Sequence, residues 1–254
     1  MNKPVDSTEV ENTMTKQASK QASKQASKQA SKQALRVLVA CEESQRVCTA
    51  FRERGHKAYS CDILEPSGGH PEWHILGDVT PLVNGNCEFE TMDGKMHRIA
   101  GKWDLLIAHP PCTYLSNAGA CRLYPKKGVL DKERYKKGLQ AKEFFMIFYN
   151  ADCDRIAVEN PMPSKVFELP TKSQIIQPYE FGHPFTKKTY LWLKGLPELL
   201  PTNVVVPVGP YVCGNVDIWK KQAAKGIVYG KEKDPRHRSK TFQGIADAMA
   251  EQWG

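Results

Sequence analysis

The chain has 254 residues, 41% of them hydrophobic, with eight cysteines and a net charge of +8. No apolar run approaches the ~18 residues of a membrane span and no apolar signal core follows Met1, which argues against a membrane protein or a secreted disulfide scaffold and for a cytoplasmic one with reduced thiols. The basic balance suits a nucleic-acid partner, although many solvated surfaces are mildly basic.

Residues 16–34 repeat KQAS and hold no large apolar side chain. Such a stretch builds no core, so residues 1–34 are expected to form a disordered tail. Weak tethering to DNA through its lysines is the sharper alternative. From residue 35 the pattern changes, and the remaining 220 residues suffice for one domain with a single core. LRVLVA (35–40) reads as a buried strand, 43–54 as a helix ending at Gly55, KAYSCDI (57–63) as a second strand and WHILGDV (73–79) as a short third. KWDLLIAH (102–109) is the fourth strand, and 131–150 is a long helix with Leu139, Phe144, Phe145 and Phe148 on its apolar side. DRIAVEN (154–160) is the fifth strand, QIIQPYEF (174–181) and KTYLWL (188–193) a final pair, and 242–252 the last helix. Strands alternating with helices predict a doubly wound, mostly parallel α/β sheet with helices on both faces, whose functional groups sit at the carboxyl ends of strands.

The strand ends carry the chemistry. The first ends in ACEESQR (40–46). A dinucleotide enzyme needs G-x-G-x-x-G there, so NAD, FAD and ATP phosphates are disfavoured and a cofactor without phosphates stays open. Asp62 ends the second strand, 21 residues after Cys41, and is placed to accept from ribose hydroxyls, with Ile63 against an adenine face. Asp78, in GDV (77–79), is placed to accept from an adenine amino group. For both aspartates a helix cap or turn residue is the plainer alternative. His109-Pro110-Pro111-Cys112 ends the fourth strand. The prolines fix φ and hold Cys112 at the mouth of the sheet, as a thiol that must attack one carbon atom requires. A buried small hydrophobe is the alternative. Glu159-Asn160-Pro161 ends the fifth strand. Partial burial is expected to raise the Glu159 pKa so that it holds a proton near neutrality, unless it is an ordinary capping or paired acid. Adjacent parallel strands bring Cys112 and Glu159 to one pocket, and a thiol with a proton-donating carboxyl suits addition to an electron-poor ring. There is no C-x-x-C pair or tight Cys/His cluster, so no metal is expected.

These motifs, in this order, resemble those of the DNA cytosine-5 methyltransferases. PPCTYLSNAG (110–119) is similar to the family's Pro-Pro-Cys motif, VENP (158–161) to its Glu-Asn-Val, and FGHPFTKKTYLWL (181–193) to its Gln-x-Arg-x-Arg strand. Residues 35–254 resemble in particular the short phage- or prophage-encoded members, through VLVACEES, IAHPPC, IIQPYEFGHP, LWLKGLP and GIADAMAEQWG. The resemblance implies the Rossmann-like fold of S-adenosylmethionine-dependent methyltransferases and a target cytosine flipped out of duplex DNA. It implies that Cys112 adds to C6, that Glu159 protonates N3, and that C5 then attacks the methyl of S-adenosylmethionine, with Asn160 and Lys187 completing the catalytic set. It places the cofactor against Ala40, Cys41, Glu42, Glu43, Ser44, Asp62, Ile63, Asp78, Val79 and Pro110. It further implies a monomer in the cytoplasm of a bacterial host.

The chain departs from the family in three places. ACEES stands where Phe-x-Gly-x-Gly is usual. The Gln-x-Arg-x-Arg positions read Phe185, Lys187 and Thr189, so Lys187 keeps a charge near the base oxygen while Thr189 lacks the second arginine's charge and fork. The region between the last strand and the last helix, about 194–241, is short and basic, with KKQAAKG and YGKEKDPRHRSK, which implies short or shape-led target specificity. The alternatives are the same chemistry on a free cytosine nucleotide and an inactive DNA-binding relative.

Overall fold

The computed structural model describes residues 33–126, 128–211 and 238–254. The KQAS repeat and most of the basic segment expected to read the target therefore lie outside the described residues. Leu35–Gly254 form one unit.

The strands are β1 (Arg36–Ala40), β2 (Lys57–Asp62), β3 (His74–Leu76), β4 (Cys87–Glu90), β5 (Met96–Ile99) and β6 (Leu105–Ala108). They continue with β7 (Ile156–Pro161), β8 (Gln174–Ile176), β9 (Phe185–Thr186), β10 (Thr189–Lys194) and β11 (Gly209–Pro210). Among the described residues the α-helices are α1 (Arg46–Glu53), α2 (Lys132–Tyr149) and α3 (Gln243–Trp253). Seven strands share one sheet in the order β3–β2–β1–β6–β7–β10–β8, parallel from β3 to β7, with β10 antiparallel to both β7 and β8. The expected mostly parallel α/β sheet is thus present.

β1 shows why this sheet forms. Its side chains alternate between two apolar layers: Val37 and Val39 face α1 and α3, and Leu38 and Ala40 face the Phe145 and Phe148 rings of α2. These four of the five β1 residues are fully buried, and each of the larger ones contributes about 1.5–3 kcal/mol relative to exposure. Helices therefore cover both faces. Asp131 caps α2 by accepting from the Arg134 amide at 2.9 Å. Along α2 the sequence placed Leu139 on the apolar side, but it is 38% exposed, and the buried face runs through Gly138, Phe145 and Phe148.

Two further expectations are corrected. α1 begins at Arg46 rather than residue 43, because Cys41 and Gln45 take φ of 59° and 57° and turn the chain before the helix starts. The β4–β5 hairpin was not expected. It carries Phe89, which packs on Tyr59 and Trp103 beneath α2's side of the sheet.

Gly195 closes the turn after β10 with φ +61°, and a Cβ there would lie 2.0 Å from the Asp154 carbonyl oxygen just before β7. Backbone stands on both sides of that contact. Gly195→Ala is expected to lower stability by roughly 2–4 kcal/mol, read as a fall in the urea midpoint at unchanged m-value.

Candidate active site

The chain winds from β1 out to β3, returns to β6 beside β1, and then continues the other way to β7. β1 and β6 thus flank the point where strand order reverses, where α/β sheets open a crevice at their carboxyl ends. The register pairs Ala40 with Ala108 and Ala108 with Val158, and the His109 amide donates to the Ala40 carbonyl at 2.9 Å. Cys41–Glu42, His109–Cys112 and Glu159–Asn160 therefore leave the sheet side by side. Antiparallel β10 starts at the same edge, with Thr189 opposite Pro161, which brings Lys187 there too.

The loop that carries Cys112 is fixed from several directions. The Asn160 side chain, 1% exposed, donates from Nδ2 to the Pro110 carbonyl at 2.8 Å and so ties the end of β7 to the double proline. Its Oδ1 is buried without a hydrogen-bond partner. The Cys112 carbonyl accepts from the Leu115 and Ser116 amides, and Arg134 donates to the Thr113 carbonyl at 3.0 Å. Cys112 itself is half-buried. Burial and the Glu159 charge push its thiol up, against the opposing pull of Lys187 and Arg238, so the resting group is the thiol.

Glu159 does not stand alone. Its Oε2 lies 3.2 Å from His109 Nδ1, and the two side chains are only 14% and 9% exposed. Burial pushes the Glu159 carboxyl up. The hydrogen bond and charge of His109, with the charge of Lys187, outweigh it, and the carboxyl ends below its ordinary value. The expectation of a carboxyl that keeps its own proton near neutrality is thereby reversed: the neighbouring histidine decides the sign. Burial likewise pushes His109 down, but the hydrogen bond and charge of Glu159 and the charge of Glu42 carry it above its ordinary value. His109 was visible in the sequence as a histidine ending a buried strand, yet it received no role.

The residues expected to hold a cofactor divide into two groups. Glu42 is 4% exposed and its carboxylate accepts from the Val47 and Cys48 amides at 2.7 and 3.1 Å, capping α1. Ser44, also buried, lies 3.5 Å from the same carboxylate. Glu43 meets Lys240 at 3.5 Å. Ala40 and Val79 are buried, and the Pro110 carbonyl is taken by Asn160. Asp78 accepts from the Thr80 amide and hydroxyl, the plainer role foreseen for it. Asp62 accepts from the Leu64 amide at 3.0 Å, beside Ile63, which is 77% exposed. Cys41 sits within the electrostatic reach of both aspartates, and burial first and their charges next push its thiol up. The arrangement leaves an acidic, partly apolar rim at the ends of β1 and β2. Cys41 and Gln45 reach positive φ without glycine, and the Gln45 side chain is clasped by the His70 backbone through bonds of 2.8 and 3.0 Å that hold this strained turn.

Thr189 is 4% exposed and its hydroxyl donates to the Lys187 carbonyl at 3.2 Å. It faces its own backbone rather than the site. Lys187 Nζ donates to the Arg238 carbonyl at 3.0 Å, which tethers the chain entering α3 to the site edge. No known protein family matches the chain, and no curated protein matches it.

Proposed function

We propose that the chain is an S-adenosylmethionine-dependent DNA cytosine-5 methyltransferase of the Rossmann-like type. The observation that carries the reading is the convergence, at the point where strand order reverses, of a thiol on a rigid Pro-Pro loop with a buried His–Glu pair and a lysine. The net charge of +8 favours a polyanionic substrate.

In this reading a cytosine flipped from duplex DNA enters the crevice. Cys112 adds to C6 while Glu159 sees to the proton on N3, and the electron density released into the ring makes C5 nucleophilic. Asn160 acts as a positioning residue through Pro110. Lys187 supports the negative charge that develops on the ring, a task for which Thr189 has no spare donor. The residues at the ends of β1 and β2 fit S-adenosylmethionine in kind: Asp62 offers an acceptor for hydroxyls, exposed Ile63 an apolar face, and the Asp62 and Asp78 charges suit a sulfonium cation. When bound, that cofactor supplies an electrophilic methyl group.

The direct test is transfer of tritiated methyl from S-adenosylmethionine to duplex DNA and, separately, to dCMP. Label on duplex cytosines, at C5 by nucleoside analysis, is the expected result. Label on dCMP alone moves the reading to a nucleotide-modifying enzyme, and label on neither leaves a DNA-binding protein without this chemistry.

A further inference from the structure

We propose that His109 is the proton reservoir of this site, storing on Nδ1 the proton that Glu159 passes to N3 of the target cytosine. The inference rests on the function proposed above, but its structural half does not.

The geometry assigns the roles. An ionised carboxylate only accepts, so at 3.2 Å from Glu159 Oε2 the His109 Nδ1 carries the hydrogen. The other ring nitrogen, Nε2, is buried and has no hydrogen-bond partner. No bond therefore supports a second hydrogen on Nε2, and the imidazolium depends wholly on the charged groups that face the ring. These are Glu159 from the end of β7, Glu42 from the turn after β1, and Lys187 from the link between β9 and β10. Glu159 favours the imidazolium most, Glu42 adds to it when ionised although burial pushes its own carboxyl up, and the lysine opposes it. The pair thus holds one mobile proton in a largely buried setting, the two side chains 9% and 14% exposed. Thr189 contributes no cation from β10, and a protonated His109 would provide one from the end of β6, two strands away.

His109 gives its Nδ1 proton to the Glu159 carboxylate, and the carboxyl gives a proton to N3. The Cys112 proton leaves to water as sulfur bonds to C6. The products are a neutral imidazole, a carboxylate and a neutral C6 adduct. When the thiolate is expelled at the end of the cycle, the N3 proton returns by the same route.

Two measurements on the full chain test this. In histidine 15N spectra, with the His109 signals assigned by their loss in His109→Asn, the ring is expected to stay protonated at both nitrogens above its ordinary midpoint of 6.5, and the midpoint to drop in Glu159→Gln. A midpoint that Glu159→Gln leaves unchanged overturns the proposal. In methyl transfer to duplex DNA, His109→Asn keeps a neutral donor and loses the proton store. Its kcat at neutral pH is expected to fall roughly 10²-fold with little change in KM. The two enzymes should converge toward acid pH, where Glu159 takes its proton from solvent. An equal loss at every pH indicates a purely structural histidine and contradicts the proposal. Absence of methyl transfer by the unsubstituted protein overturns the proposed function, and with it the cytosine half of this inference; the spectra decide separately whether His109 holds the proton.

Discussion

Cys112→Ala is expected to remove methyl transfer to duplex DNA altogether, by roughly 10⁴-fold or more, while the protein remains folded. The physical reason for the first half is that, among the described thiols, no other stands at the sheet's reversal point in a position to attack. Cys41 lies closest in the topology, but it is held at φ 59° behind the Asp62 and Asp78 charges, and burial pushes its thiol further up than that of Cys112. The reason for the second half is that Cys112 is half-buried and its side chain belongs to neither apolar layer of the sheet. The loop's shape depends on the Cys112 carbonyl, the two prolines and the Asn160–Pro110 bond, all of which alanine preserves. Thermal unfolding should therefore shift by no more than about 2 °C. A variant that unfolds at room temperature, or one that keeps measurable transfer, contradicts this account of the loop.

Glu159→Gln is expected to lower kcat/KM by roughly 10²–10⁴-fold, because an amide can neither carry the proton to N3 nor stabilise an imidazolium. It also has a signature in stability. His109 is raised in the folded state, so its contribution is fully present below the ordinary imidazole value of 6.5 and is lost as pH rises through its folded value. Glu159 is lowered, so its contribution is present above the ordinary carboxyl value of 4.5 and is lost as pH falls through its folded value. Both are complete only between those two pH values. The stability difference between the natural protein and Glu159→Gln, measured by urea unfolding, should therefore peak in that window, at about 2 kcal/mol, and shrink on either side. A difference independent of pH means that the pair is not ionised as the structure implies.

The strands of the sheet were legible because they are short β-branched or aliphatic runs bounded by charges and turns, and β1, β6 and β7 lie where those runs lie. The start of α1 was not, because Glu42, Glu43, Ser44 and Gln45 read as a helix's first turn. Only the structure shows that the Glu42 side chain caps α1 from outside it. The β4–β5 hairpin left one usable mark, Asp93-Gly94, with Gly94 at φ +80° in the turn. Its strands contribute one buried residue each, Phe89 and Ile99, too few for alternation to stand out. Cys112 and Glu159 could be placed at one edge from strand order alone. The His109–Glu159 bond could not, since it depends on the β6–β7 register, and that bond reverses the direction of the Glu159 shift.

The central claim is that Cys112 bonds to C6 of a cytosine and must later be expelled with loss of the C5 hydrogen. A duplex containing 5-fluorocytosine blocks that last step, since fluorine cannot leave as a cation. Incubated with S-adenosylmethionine and this DNA, the protein is expected to form a complex that survives denaturation, and mass spectrometry of its peptides should place the nucleotide on Cys112. An adduct on another cysteine, or methylated ordinary cytosine with no adduct on the fluorinated substrate, would contradict it.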